Sequence, residues 1–122
     1  MAKTEMELIA RIHAFDISRN VTPFGDDCIR ANGPLHDLIW QQARGDFQRD
    51  VARNLAANGF VIGYLAQGWK PRGKALQYNS KYEKSLHNFA ERVNEKLPGR
   101  YHLEYGQVGP KGAWGYRLVD SI

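Results

Sequence analysis

The spacing of apolar residues along the chain changes twice between a helical and a strand period. Leu35, Ile39, Ala43, Phe47, Val51 and Leu55 recur every four residues, with Leu38 beside them. That stripe predicts an amphipathic helix. Pro34 is suited to its first turn, and Asn58-Gly59 to a left-handed stop. Gly45, inside the stripe, predicts a bend or a break. A second stripe, Leu86, Phe89, Ala90, Val93 and Leu97, follows the capping box Ser80-Lys-Tyr-Glu83 and ends at Pro98-Gly99. After each helix the pattern becomes that of a strand. Phe60 to Ala66 is β-rich, Trp69-Lys70-Pro71-Arg72-Gly73 reads as a turn, and Ala75 to Tyr78 can return. Tyr101, Leu103 and Tyr105 then alternate with His102 and Glu104, and Trp114, Tyr116 and Leu118 line one face of a return strand.

These units are two copies of one motif. Val51–Leu55, Phe60–Tyr64, Pro71-Arg72-Gly73 and Tyr78 are echoed by Val93–Leu97, Tyr101–Tyr105, Pro110-Lys111-Gly112 and Tyr116. Ahead of them, Thr4-Glu-Met-Glu7 favours a short helix over residues 4–15, although Leu8, Ala10, Ile12 and Ala14 also alternate as a strand would. Residues 16–33 read as a long loop, interrupted by Pro23, Gly25 and Asn32-Gly33. The expected fold is a single α+β domain over residues 1–122. Its parts are an N-terminal helix or strand with a loop (1–33), a first helix–hairpin unit (34–80) and a second (81–122), with antiparallel strands packed on helices.

Composition adds less than charge does. A length of 122 residues and 43% hydrophobic residues suit one core. No apolar run approaches the roughly 18 residues of a membrane span, and the first residues lack a secretory apolar region. Cys28 is the one cysteine, so neither an internal disulfide nor a zinc set is expected, and a reducing cytoplasm is the expected compartment. The net charge of +4 is unevenly placed: residues 1–61 carry seven basic and eight acidic side chains, residues 62–122 ten and five. The excess lies in the repeated half and argues for a polyanionic partner, DNA or RNA.

Candidate contacts follow from the two hairpin tips. Lys70, Arg72 and Lys74 cluster on one and Lys111 on the other, with glycines that let a phosphate approach the backbone. Arg117 lies on the last strand. Trp69 and Trp114 flank the tips, where they could stack on bases or sit against a sugar. For Trp114, parity shared with Tyr116 and Leu118 favours a core position instead.

The segment from Lys81 to Val119 resembles a winged-helix DNA-binding domain. Ser85-Leu-His-Asn-Phe-Ala-Glu-Arg-Val-Asn-Glu-Lys-Leu97 would be the recognition helix. Tyr101 to Val119, closing in Gly115-Tyr116-Arg117-Leu118, would be the wing. The resemblance implies a winged-helix-like fold in which Lys84, His87, Asn88, Glu91 and Arg92 face the major groove and Lys111 the adjacent backbone. The chain departs from that pattern at 66–80, which read as turn and strand where such a domain has a helix.

Other functions are less favoured. His87 and His102, near cations, are the types that cleave RNA by general acid–base chemistry without a metal, but polar surface histidines are the simpler reading. Asp26-Asp27 with Asp46 and Asp50 lack a known metal spacing. No cofactor fingerprint is present. A small basic domain could also dock on a nucleoprotein complex, as phage-type inhibitors of host defence do, or form a homodimer through strand edges. The expectation is therefore a non-catalytic nucleic-acid-binding accessory or regulatory protein that uses Trp69, Lys70, Arg72, Lys74, Lys84, Asn88, Arg92, Lys111 and Arg117.

Overall fold

The computed structural model describes residues 7, 10, 12, 17–62, 80–109 and 113–121. Among these, the chain forms β1 (Arg19–Val21), β2 (Asp27–Ile29), α1 (Pro34–Gln41), α2 (Gly45–Asn58), β3 (Phe60–Ile62), α3 (Ser80–Lys96), β4 (Tyr101–Gln107) and β5 (Trp114–Asp120). The mixed α+β class expected from the pattern is what forms. No helix among the described residues is long and apolar enough to cross a membrane. Glu7, Ala10 and Ile12 are helical, and Ile12 is buried.

The periodic stripe starting at Pro34 is two helices. The chain breaks between Gln41 and Gly45, where Gly45 has φ +81°. The side chain of Gln48 accepts the Arg44 N–H at 2.8 Å, so an orphan donor at the start of α2 is satisfied from within the helix. At its other end α2 stops at Gly59, in the left-handed conformation with φ +82°, as Asn58-Gly59 predicted. Both helices and α3 turn their stripes inward. Leu35, Ile39, Phe47, Val51, Leu55, Leu86, Phe89 and Val93 meet Val61, Leu103 and Leu118 of the strands in one core.

Residues 16–33 differ from the expected loop. Arg19–Val21 and Asp27–Ile29 pair antiparallel, Asn20 opposite Cys28. Thr22 closes the turn: its carbonyl accepts the Gly25 N–H at 2.9 Å, its hydroxyl the Asp26 N–H at 3.1 Å. Strands of three residues carry too few alternations to be seen in a sequence pattern. Their place is set by α2, whose last carbonyls they satisfy. The Ala31 N–H donates to Leu55 O (2.8 Å), Arg30 Nε to Ala57 O (3.0 Å) and Asn20 Nδ2 to Asn58 O (2.7 Å). A guanidinium at a helix C-terminus also meets the negative end of the helix dipole.

The second sheet has the order β3-β5-β4, all antiparallel. The final hairpin forms as expected, with Leu103 opposite Leu118 and Tyr105 opposite Tyr116. In the first unit, β3 pairs with β5, Phe60 opposite Arg117. The return strand expected at Ala75–Tyr78 lies outside the described residues. Among the described residues β4 is an edge strand, and that edge is partly occupied. The Asn94 carboxamide of α3 accepts the Leu103 N–H at 2.7 Å and donates to Leu103 O at 3.1 Å. A side-chain amide there imitates a neighbouring strand and removes one site of edge pairing.

Gly106 and Gly115 face each other across β4 and β5 but differ in surroundings. A Cβ on Gly115 would lie 1.9 Å from Val61 O, whereas one on Gly106 would meet nothing within 4 Å. Gly115→Ala must push β3 off β5 and is expected to cost about 3 kcal/mol, the upper part of the range for overpacking. Gly106→Ala should stay within about 0.5 kcal/mol of the parent. Urea denaturation of the two variants checks both; equal effects would contradict this account of the sheet.

Candidate nucleic-acid interface

The inward face of the β4–β5 hairpin carries Tyr101, Leu103, Tyr105 and Gln107 on one arm and Trp114, Tyr116 and Leu118 on the other. Residues two apart on a strand share a face. Tyr101, Leu103, Tyr116 and Leu118 are buried, but Tyr105 is 42% and Trp114 52% exposed. The core position predicted for Trp114 is therefore corrected. Its parity is right, yet its ring packs on the half-exposed Tyr105 rather than into the core. Asn94, near the end of α3, lies against Leu103, while His87, at its middle, reaches Tyr105 and Tyr116.

The result is an aromatic ledge with a polar inner wall. The rings of Tyr105 and Trp114 are 5.2 Å apart at 33°, and those of Tyr105 and Tyr116 5.0 Å apart at 52°. His87 meets Tyr105 edge-on at 4.9 Å. His87 Nδ1 and the Tyr116 hydroxyl are 2.6 Å apart, and His87 Nε2 is 3.6 Å from a Glu83 oxygen. A phenol donating to Nδ1 leaves the other ring nitrogen on the side of the Glu83 carboxylate. Burial, then the neighbouring Tyr105, Glu91 and Glu83, push the Tyr116 phenol up to about 12. Tyr116 is thus a neutral donor at physiological pH rather than a phenolate. Burial, with Glu83 adding, also raises Tyr105.

Lys84 and Asn88, assigned to the outer face of α3, are exposed there, and Glu91 and Glu95 continue the exposed row. The other residues predicted on that face turn inward. His87 faces the sheet as described. Arg92 reaches toward the neighbouring helices, donating to Gln42 O at 2.9 Å and to the buried Gln48 side chain. Gln48 also donates to the Ser85 hydroxyl at 3.1 Å. Desolvation lowers the Arg92 guanidinium from its usual value and Arg44 adds repulsion. Arg117 donates to Glu104 at 2.6 Å and to Asp27 O. Both arginines thus have internal acceptors. Trp69, Lys70, Arg72, Lys74 and Lys111 lie outside the described residues.

The alternative chemistries separate in space. His102, out of phase with Leu103, projects from the opposite face of β4 to the one His87 meets; it lies 3.6 Å from Glu104. Asp46 and Asp50 pair with Arg49 and Arg53 along α2. Among the described residues no three His, Cys, Asp or Glu side chains converge as a metal site would. Cys28 is buried beside a cleft of about 160 Å³ between β2 and β5, and desolvation raises its thiol above the usual value, the opposite of an activated nucleophile. The β1–β2 turn leaves Val21 and Phe24 exposed.

Sequence reasoning missed Gln48, Asn94 and Tyr105, and ranked stacking by Trp114 below a core position. Gln48 and Asn94 have no local signature because the contacts that join elements reach 37 and 9 residues away. The ledge had one: the hairpin's aromatic alternation runs on to Trp114, opposite Gln107 at the end of β4. No family model, curated protein or solved structure matches the chain.

The raised phenols fix an alkaline prediction. A group whose folded pKa exceeds its unfolded value of about 10 binds more proton when folded, so stability falls as pH rises from about 10 through about 12. Denaturation midpoints measured across that window should drop, and the drop should be shallower in Tyr116→Phe. An equally steep drop in the variant would mean Tyr116 is not held neutral.

Proposed function

We propose that the chain is a non-catalytic nucleic-acid-binding protein of accessory or regulatory type, built in the manner of a winged helix. In this reading α3 is the helix presented to the polymer and the β4–β5 hairpin is the wing. The observation that carries it is the succession of an α3 with Lys84 and Asn88 on its open face and a seven-residue two-stranded hairpin braced by β3. Bracing matters because an isolated two-stranded hairpin is marginal in water. The basic excess of residues 62–122 supports a polyanionic partner. Lys70, Arg72, Lys74 and Lys111 would supply phosphate contacts, Trp69 a stacking surface, and Lys84 and Asn88 contacts from the helix. Such contacts position the protein with little sequence information unless the helix reaches base edges.

Arg92 and Arg117 take a different part in this proposal from the exposed cations. Their guanidinium groups brace α3 against α1 and α2, and β5 against β2, so they hold the surface in place.

Binding of short DNA and RNA, single- and double-stranded, at low and near-physiological salt tests the reading. The parent should bind with steep salt dependence and leave the polymer intact. Arg72→Ala with Lys74→Ala should weaken binding to all sequences and lower the logarithmic salt slope by about 2. Lys84→Ala should weaken binding at unchanged stability. Arg92→Ala should instead lower stability by about 1–3 kcal/mol, since it removes the guanidinium donor to Gln42 O and one of the two donors to the Gln48 carboxamide oxygen. No binding of any polymer at low salt would overturn the proposal.

A further inference from the structure

We infer that Trp114 and Tyr105 form a platform on which an unpaired nucleobase stacks, so the preferred polymer is single-stranded or carries unpaired bases. This inference rests on the nucleic-acid reading above and narrows it.

Two large neighbouring rings, 52% and 42% exposed, on the otherwise buried face of the hairpin form a continuous apolar surface. Chains gain by burying such surface, and here Tyr116 and Leu118 of the same strand are buried while Trp114 is not. Tyr105 is also packed among rings: it touches Trp114, Tyr116 and His87 at ring separations of 4.9 to 5.2 Å. His87 in turn meets Tyr116 and Glu83. A ring already packed by its neighbours loses less entropy when a ligand settles on it.

The chemistry around the ledge favours a base over an apolar peptide. Gln107, opposite Trp114 in the register and exposed, offers an amide donor and acceptor at the rim. Glu83 and His87 form the inner wall. Lys84 is exposed one residue beyond Glu83. Lys111 belongs to the connection that joins Gln107 to Trp114, and Lys70, Arg72 and Lys74 belong to the connection that joins Ile62, paired with Gly115, to α3. Exposed aromatic faces in a half-chain with ten basic and five acidic side chains match a polymer of flat bases and anionic phosphates. In a duplex the base faces are occupied by one another, so a platform of this kind has nothing to engage until a base is unpaired.

The test compares three labelled probes of one length on the full chain: single-stranded oligothymidine, the same backbone lacking bases, and a blunt duplex. Stacking of one base predicts that oligothymidine binds about five- to 150-fold more tightly than the abasic strand. Trp114→Ala should erase most of that difference, Trp114→Phe should retain part of it, and the fluorescence of Trp114 should be quenched by oligothymidine alone. Equal affinity for oligothymidine and the abasic strand would overturn the platform while leaving phosphate-driven binding in place. So would a duplex preference that Trp114→Ala leaves unchanged. Absence of binding to all three probes at low salt would remove both the platform and the nucleic-acid reading.

Discussion

The turn at Gly59 holds the two sheets and the helices to one another. Its N–H closes α2 on Leu55 O at 3.0 Å, and its carbonyl accepts the Leu118 N–H of β5 at 2.8 Å. A side chain there would meet the carbonyl of Ile29 at 2.5 Å. One residue therefore ends a helix, starts a strand pairing and lets β2 pass at backbone distance. The left-handed φ of +82° is what aims the chain from α2 into β3. Because β3 then pairs with β5, the same turn determines how the final hairpin lies on the core. The β1–β2 pair fits the arrangement because α2 has carbonyls to satisfy at that end, and Arg30 and Asn20 satisfy them.

Two carboxamides complete the frame. Gln48 is buried where α2 meets α3 and serves Arg44, Arg92 and Ser85 together. Its oxygen takes two donors and its nitrogen two acceptors of Ser85, so this one glutamine ties the start of α2 to α3. Asn94 takes both hydrogen-bonding groups of Leu103 and so attaches α3 to the edge of the sheet. These contacts set the position of α3 along the hairpin. In that position His87, at the middle of the helix, meets Tyr105 and Tyr116, while Trp114 packs on Tyr105 at the surface.

The cations divide by the same geometry. Arg92 and Arg117 donate to acceptors on neighbouring elements, Gln42 O and the half-exposed Glu104, whereas Lys84 stands on the outer face of α3. Arginine offers several donors in a planar fork and suits the first task; lysine carries one hydrated charge and suits the second. A sequence ranks them all alike as basic residues of one half-chain. The histidines divide too, since His87 and His102 meet opposite faces of β4, and a shared acid–base pair would require them on one.

Local chemistry made much of the frame readable from the sequence. The α+β class, the helix opening at Pro34, the stop at Gly59, the weak point at Gly45, the stripe of α3 and the alternation of the final hairpin each depend on residues within a few positions of one another. Proline geometry, left-handed glycine and hydrophobic period act at that range. The short β1–β2 pair, the pairing of β3 with β5, the buried Gln48 and the strand-like role of Asn94 were decided only by tertiary structure, because each needs a partner distant in sequence or across the fold. For the candidate site the same division holds. The alternation put Trp114 and Tyr105 on the correct face. Whether that end of the face was core or surface depended on which side chains of α3 pack against it, a relation between two elements that no window of sequence contains.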